Sequence, residues 1–121
     1  MGFDLEGIGG YFRCTIGSWL DVLELGEQYG WEPIGTGAPR GMPAEEWEGE
    51  EYCSNDGQLF KARDAKNLAK ALESALADFP DFEWPADAEP SETRAWLSTE
   101  AGKKWLEKFI VFLRTGSFRL Y

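Results

Sequence analysis

Between residues 65 and 79, apolar side chains recur at Ala65, Leu68, Ala69, Leu72, Ala75, Leu76 and Phe79. This three-and-four spacing lines one face of an α-helix. Arg63, Lys66, Asn67, Lys70, Glu73 and Ser74 fill the opposite, solvated face. The start has no Ser or Thr N-cap, but Asp64 falls in the first turn, where negative charge suits the positive end of the helix dipole. Pro80 stops the helix because proline cannot continue its hydrogen-bond ladder. The stretch from 52 to 79, a tight turn feeding this helix, is the best-specified part of the chain.

The flanking patterns predict the remaining elements. Residues 3–16 alternate loosely, with Tyr11, Phe12, Cys14 and Ile16 in one or two short strands and Gly7, Gly9 and Gly10 in the turn between them. Ser18 reads as an N-cap, with Asp21 three residues on. The helix that follows carries Trp19, Leu20, Val22, Leu23 and Leu25 inward, and Gly30 ends it, with Trp31 folding back on its last turn. Periodicity dissolves over 32–51, where Pro33, Gly35, Gly37, Pro39, Gly41 and Pro43 break every candidate element. Residues 53–59 read as a strand, a turn and a return strand or helix entry, with Asp56-Gly57 supplying the turn's positive φ.

A second irregular stretch runs from 80 to 90, with acids among Phe82, Trp84 and three prolines. Ser91 caps a short helical turn bearing Trp96 and Leu97. Ser98 or Thr99 opens the last long helix, with Ala101, Trp105, Leu106, Phe109, Ile110, Phe112 and Leu113 on an arc broader than that of the helix at 65–79. That breadth predicts the more buried of the two. Gly116 stops it, and 117–121 alternates as a closing strand does. The expected fold is α+β: three principal helices packed on a small, mainly antiparallel sheet in a single domain over 1–121, with an irregular acidic segment at 32–51.

Length supports one domain with a real core. At 43% hydrophobic and 15% aromatic residues, the chain is not a disordered one. No apolar run approaches the ~18 residues of a membrane span, and the acids in MGFDLEGIGG do not suit a signal peptide; a cytoplasmic protein is expected. Residues 1–56 hold 12 acids and 2 bases, whereas 57–121 hold 10 of each, so the whole net charge of −10 lies in the N-terminal half. Nucleic acid and anionic lipid would be repelled there.

There is no histidine, so His-based triads, Cys-His pairs and histidine metal sites are excluded. Cys14 and Cys53 alone cannot build a zinc site. Two buried, reduced thiols are expected, with a Cys14–Cys53 disulfide open if both lie on neighbouring strands. Nothing selects a catalytic pair among the many carboxylates. Gly35-Thr36-Gly37 lacks the strand and further glycine of a nucleotide fingerprint. Ser54-Asn55-Asp56-Gly57 lacks the spaced acids and terminal Glu of a calcium loop. No cofactor is expected. Lys61, Arg63, Lys66 and Lys70 share a helix face that reads as solvated surface, partly neutralised by Glu73 and the acidic loop. The tryptophans read as core, with a ligand pocket as the alternative.

One feature points to binding. Glu45, Glu46, Glu48, Glu50 and Glu51 surround Trp47 and lead into Tyr52. Acids studded with rings on a flexible segment suit a basic protein groove, since charge steers encounter and rings supply burial. These seven residues are the expected partner-binding site, set against the reading of a solvated acidic loop.

Tyr52-Cys53-Ser54-Asn55-Asp56-Gly57-Gln58, then Asp64-Ala65 and Leu68-Ala69-Lys70-Ala71-Leu72, resemble a group of small uncharacterised bacterial proteins. These carry a YxSNDGQ-like turn before an Ala/Leu-rich helix and an ending similar to Phe109-Ile110-Val111-Phe112-Leu113-Arg114-Thr115-Gly116-Ser117-Phe118. The likeness covers about half the chain and implies no function; Lys61 stands where such proteins often have Thr. Size and charge are shared with immunity, anti-restriction and anti-CRISPR proteins, an analogy of composition. The expected function is a non-enzymatic bacterial or phage inhibitor that binds a basic protein. The alternative is a small-molecule-binding or enzymatic domain with an aromatic-rich pocket.

Overall fold

A computed structural model describes residues 2–86 and 91–121; the part of the second irregular stretch at 87–90 lies outside them. The order is β1 (Gly2–Gly7), β2 (Gly10–Thr15), α1 (Ile16–Gln28), β3 (Leu59–Phe60), α2 (Ala62–Leu76), α3 (Glu92–Leu97), α4 (Glu100–Leu113) and β4 (Phe118–Leu120). The strands form one antiparallel sheet in the order β2-β1-β4-β3. This is the expected α+β fold, with three long helices and a short one.

The sheet has an apolar face and a polar one, as strand alternation requires. Phe3, Leu5, Cys14, Phe60, Phe118 and Leu120 are buried, whereas Glu6, Tyr11 and Arg13 are exposed. The apolar face meets the helices around Trp19, which packs against Phe3, Phe60, Phe109 and Phe118 at ring separations of 5.7, 5.8, 6.3 and 6.4 Å. Phe60 stacks on Phe118 at 4.8 Å, joining β3 to β4. The tryptophans divide: Trp19 and Trp31 are core, Trp47, Trp84 and Trp105 are half-buried, and Trp96 is exposed.

Helix α1 starts earlier than expected. Thr15, not Ser18, is the N-cap, and its Oγ1 accepts from the Ser18 N–H at 3.0 Å. Thr15 and Ser18 stand three apart, and the Thr15 hydroxyl also donates to Ser18 Oγ, so Ser18 completes the cap from inside the first turn. Asp21, released from capping, is buried against Ser91 and Arg94. Arg94 also pairs with Glu24 and lies over Trp84, which clamps α3 to α1. Leu20 is exposed, unlike the other four residues expected inside. At the far end Gly30 takes φ +102°, and the Trp31 N–H returns to Gly26 O at 2.8 Å, the expected left-handed C-cap.

Helix α2 buries Ala65, Leu68, Ala69, Leu72 and Ala75 along the expected stripe, with Leu76 half-buried, and the six polar positions are exposed. Lys61 provides no side-chain cap. Ser91 and Thr99 cap α3 and α4. Helix α4 is not the more buried: it buries six of 14 residues against seven of 15 in α2. On its broad arc Ala101 reaches solvent and Trp105 is only half-buried. Among the described residues no helix is long and apolar enough to cross a membrane.

Candidate functional site

The segment at 32–51 is irregular, as expected, but it is fastened along its length. Gly37 pairs with Leu59 through two main-chain bonds of 2.8 and 2.9 Å, which covers the outer edge of β3. The Thr36 N–H donates to Gly49 O at 2.7 Å, drawing the two arms of the segment together. Ala44–Glu46 forms a single 3-10 turn. The Trp47 indole N–H donates to Thr36 Oγ1 at 3.0 Å, so this ring is half-buried against its own loop.

Tyr52 closes the segment from inside the molecule. Its main-chain oxygen accepts from the Trp19 indole at 2.7 Å, and its hydroxyl donates to Asp64 and accepts from the Gly35 N–H at 2.8 Å. Asp64 is fully buried and also accepts from the Trp31 indole at 2.8 Å. Burial, reinforced by the bond to Asp64, raises the Tyr52 phenol above its ordinary 10.0. One carboxyl group therefore ties α2, the exit of α1 and the end of the acidic segment. In the sequence alone Asp64 reads only as a dipole charge. Its signal is the stripe itself, since Asp64 stands four residues before Leu68 and eight before Leu72.

Gln58 is a second anchor that sequence reasoning passed over. It is fully buried; its amide donates to Glu51 O and Ser54 O at 3.1 and 2.8 Å, and its oxygen accepts from the Asp56 N–H. Gly57 between them takes φ +84° and donates to Leu120 O at 2.7 Å. Arg119 reaches Gly57 O at 2.9 Å. The Ser-Asn-Asp-Gly-Gln run is thus a turn that leads into β3 and is tied by hydrogen bonds to β4. No strand precedes it: Cys53 lies outside the sheet, exposed, with its N–H on Glu51 Oε1. The expectation of two buried thiols holds for Cys14 alone. Both are free, and Cys14 on β2 has no neighbouring strand bearing Cys53.

Of the seven expected binding residues, the five glutamates are exposed. Glu46, Glu48, Glu50 and Glu51 join Asp56 and Met42 around an open hollow of about 600 Å³. Glu48 and Glu50 also wall a second hollow of about 680 Å³, opposite Glu27 and Lys61, with Tyr52 and Ile34 in its lining. Trp47 lines both, whereas Glu45 lines neither. The result is an acidic ridge between two shallow basins, with Tyr52 serving as an internal tie.

The basic face that begins at Lys61 and continues along α2 meets the second hollow only at Lys61. Lys61, Arg63, Lys66 and Lys70 are exposed, and none forms an ion pair among the described residues. Glu73 pairs with Arg114 of the α4 C-cap rather than with its own helix's lysines. No group of three His, Cys, Asp or Glu side chains among the described residues is placed to hold a metal ion.

No protein-family model, no curated protein and no solved structure matches this chain.

Proposed function

We propose that the chain is a non-enzymatic bacterial or phage protein that acts in the cytoplasm by docking its acidic ridge onto a basic protein partner, as an inhibitor. The observation that carries this reading is the pre-organised ridge: four glutamates and Asp56 are held around one hollow by main-chain and indole hydrogen bonds. Preorganisation lowers the ordering cost of association, and a one-sign surface accelerates encounter. The ridge also bears a negative array of the kind that a nucleic-acid-binding groove recognises, so the partner chemistry is a cationic protein surface. The aromatic rings that would serve a ligand pocket are largely packed on one another around Trp19 and Phe60, which favours the surface reading over a pocket.

The test compares the parent with a variant in which Glu46, Glu48 and Glu50 of the ridge are replaced by Gln. Immobilised parent should retain a basic protein from a bacterial lysate at low salt. The variant should associate with that purified protein at least about tenfold more slowly, with a flatter salt dependence. Equal association rates for parent and variant at every salt concentration would exclude the ridge as the docking surface.

A further inference from the structure

The two edges of the sheet are treated differently. The β3 edge is closed by Gly37, but the β2 edge, six residues long, has no partner among the described residues. The direction of its backbone groups follows from the register. Asp4 spends both its N–H and its C=O on Tyr121, at 2.9 Å each, so Phe3, Leu5 and Gly7 are the β1 residues that face β2. Their partners are Cys14, Phe12 and Gly10. Antiparallel ladders alternate, so the N–H and C=O groups of Tyr11 and Arg13 point outward from the open edge. Four main-chain hydrogen-bonding groups there have no partner among the described residues, and an unpaired row of this kind is a template for another strand.

We propose that β2 pairs antiparallel with β2 of a second copy of this chain, joining two four-stranded sheets into one. A twofold axis can be centred on Tyr11, Phe12 or Arg13 with apolar residues kept on the apolar face. Centred on Arg13, it sets that residue against its own symmetry mate, a like-charge pair that opposes association. Centred on Tyr11, it places Arg13 opposite Gly9 of the turn, so the outward groups of Tyr11 alone pair. Centred on Phe12, it sets Tyr11 opposite Arg13 twice, with the outward groups of both residues forming the hydrogen bonds. Charge and the number of hydrogen bonds select this last register. Below the axis, half-exposed Phe12 already contacts Trp105 at 5.7 Å, and Trp105 contacts Trp96 at 5.9 Å. Trp96 is 37% exposed, so on the apolar face an aromatic strip of Phe12, Trp105 and Trp96 borders the edge and would continue from one copy into the other. The acidic segment attaches at the opposite edge, beside β3, and stays clear of the pairing line.

Sedimentation velocity between about 10 μM and 1 mM should show the mass rising from monomer to dimer, and more readily at higher salt, which screens the repulsion of two −10 chains. Two variants read the register. Tyr11→Lys faces Glu6 within its own sheet, which preserves the monomer, but faces Arg13 across the axis; dimerisation should weaken by roughly tenfold or more. Tyr11→Glu faces the same arginine with opposite charge, although it also faces Glu6 within its own sheet and loses the Tyr11 hydrogen bond to Asp4, and should dimerise more tightly than Tyr11→Lys. Unchanged circular dichroism in both confirms that folding is intact. In the dimer the amide protons of Tyr11 and Arg13 should exchange slowly, and dilution should release them. A monomeric mass throughout the range, or any other ordering of the two variants, overturns the proposal.

Discussion

Helix α2 and the acidic segment beside it are both fixed, by opposite means. The helix is held by an apolar stripe that repeats within 15 residues of sequence and needs only a greasy surface to face. The segment buries little apolar surface of its own. It is held by single hydrogen bonds over long separations: Trp19 to Tyr52 and Trp31 to Asp64 each span 33 residues. Burial energy is non-directional and spread over many contacts. A buried hydrogen bond is directional, and losing one partner strands the other. The helix should therefore tolerate conservative change gradually, whereas the segment should respond to a few atoms.

The largest effect is expected on the helix. Leu72→Ala removes a fully buried side chain and should cost ~2–5 kcal/mol in denaturant unfolding. Asp64→Ala comes next, at about 2–3 kcal/mol, because the Trp31 indole and Tyr52 hydroxyl lose their acceptor. Its signature is local: amide exchange should speed up across 32–52 more than in α2. Uniform acceleration in both regions would erase the distinction drawn between them.

A smaller difference depends on pH. Burial pushes the Cys14 thiol up to about 12 from an ordinary 9.0, and burial with the Asp64 bond raises the Tyr52 phenol. The unfolded chain releases these protons at lower pH. The stability they confer is fully present below about pH 9 and is lost as pH rises toward the folded values. For Cys14 the loss amounts to about 1 kcal/mol by about pH 10. Urea midpoints measured from about pH 8 to 11 should fall, and less steeply in Cys14→Ala. The smallest effect is on the solvated side of α2, where Lys70→Ala should cost under ~0.5 kcal/mol. A loss as large as that of Leu72→Ala would mean that the two faces are not what the stripe indicates.

The same contrast explains what could be read from sequence. Periodicity, caps and stops are local, so α2, α4, the first hairpin and the closing strand were legible from neighbouring residues. The ends of α1 show the limit. Gly30 and Trp31 form a local C-cap and were found, but Thr15 and Ser18 are both competent N-caps, and neighbouring residues did not decide between them. The acidic segment was legible as irregular and charged. Its fastening was not, because Tyr52 looks like an exposed aromatic until Asp64, twelve residues on, is known to lie beneath it. Cys53 was misplaced for a related reason: Gln58 folds the chain ahead of it into turns, a role that no pattern marks.

Strand β4 lies between β1 and β3 although it comes last of the four in the chain. On the ribosome, then, the hairpin of β1 and β2 emerges first and waits. At roughly 5–20 residues per second, it spends on the order of ten seconds before Phe118–Leu120 can pair with it. Throughout that interval Phe3 and Leu5 have no finished core to enter, and β3 has no neighbour on that side. Assembly of the sheet therefore waits for the last of its four strands, and chaperones that shield short apolar strands have their longest opportunity at the hairpin.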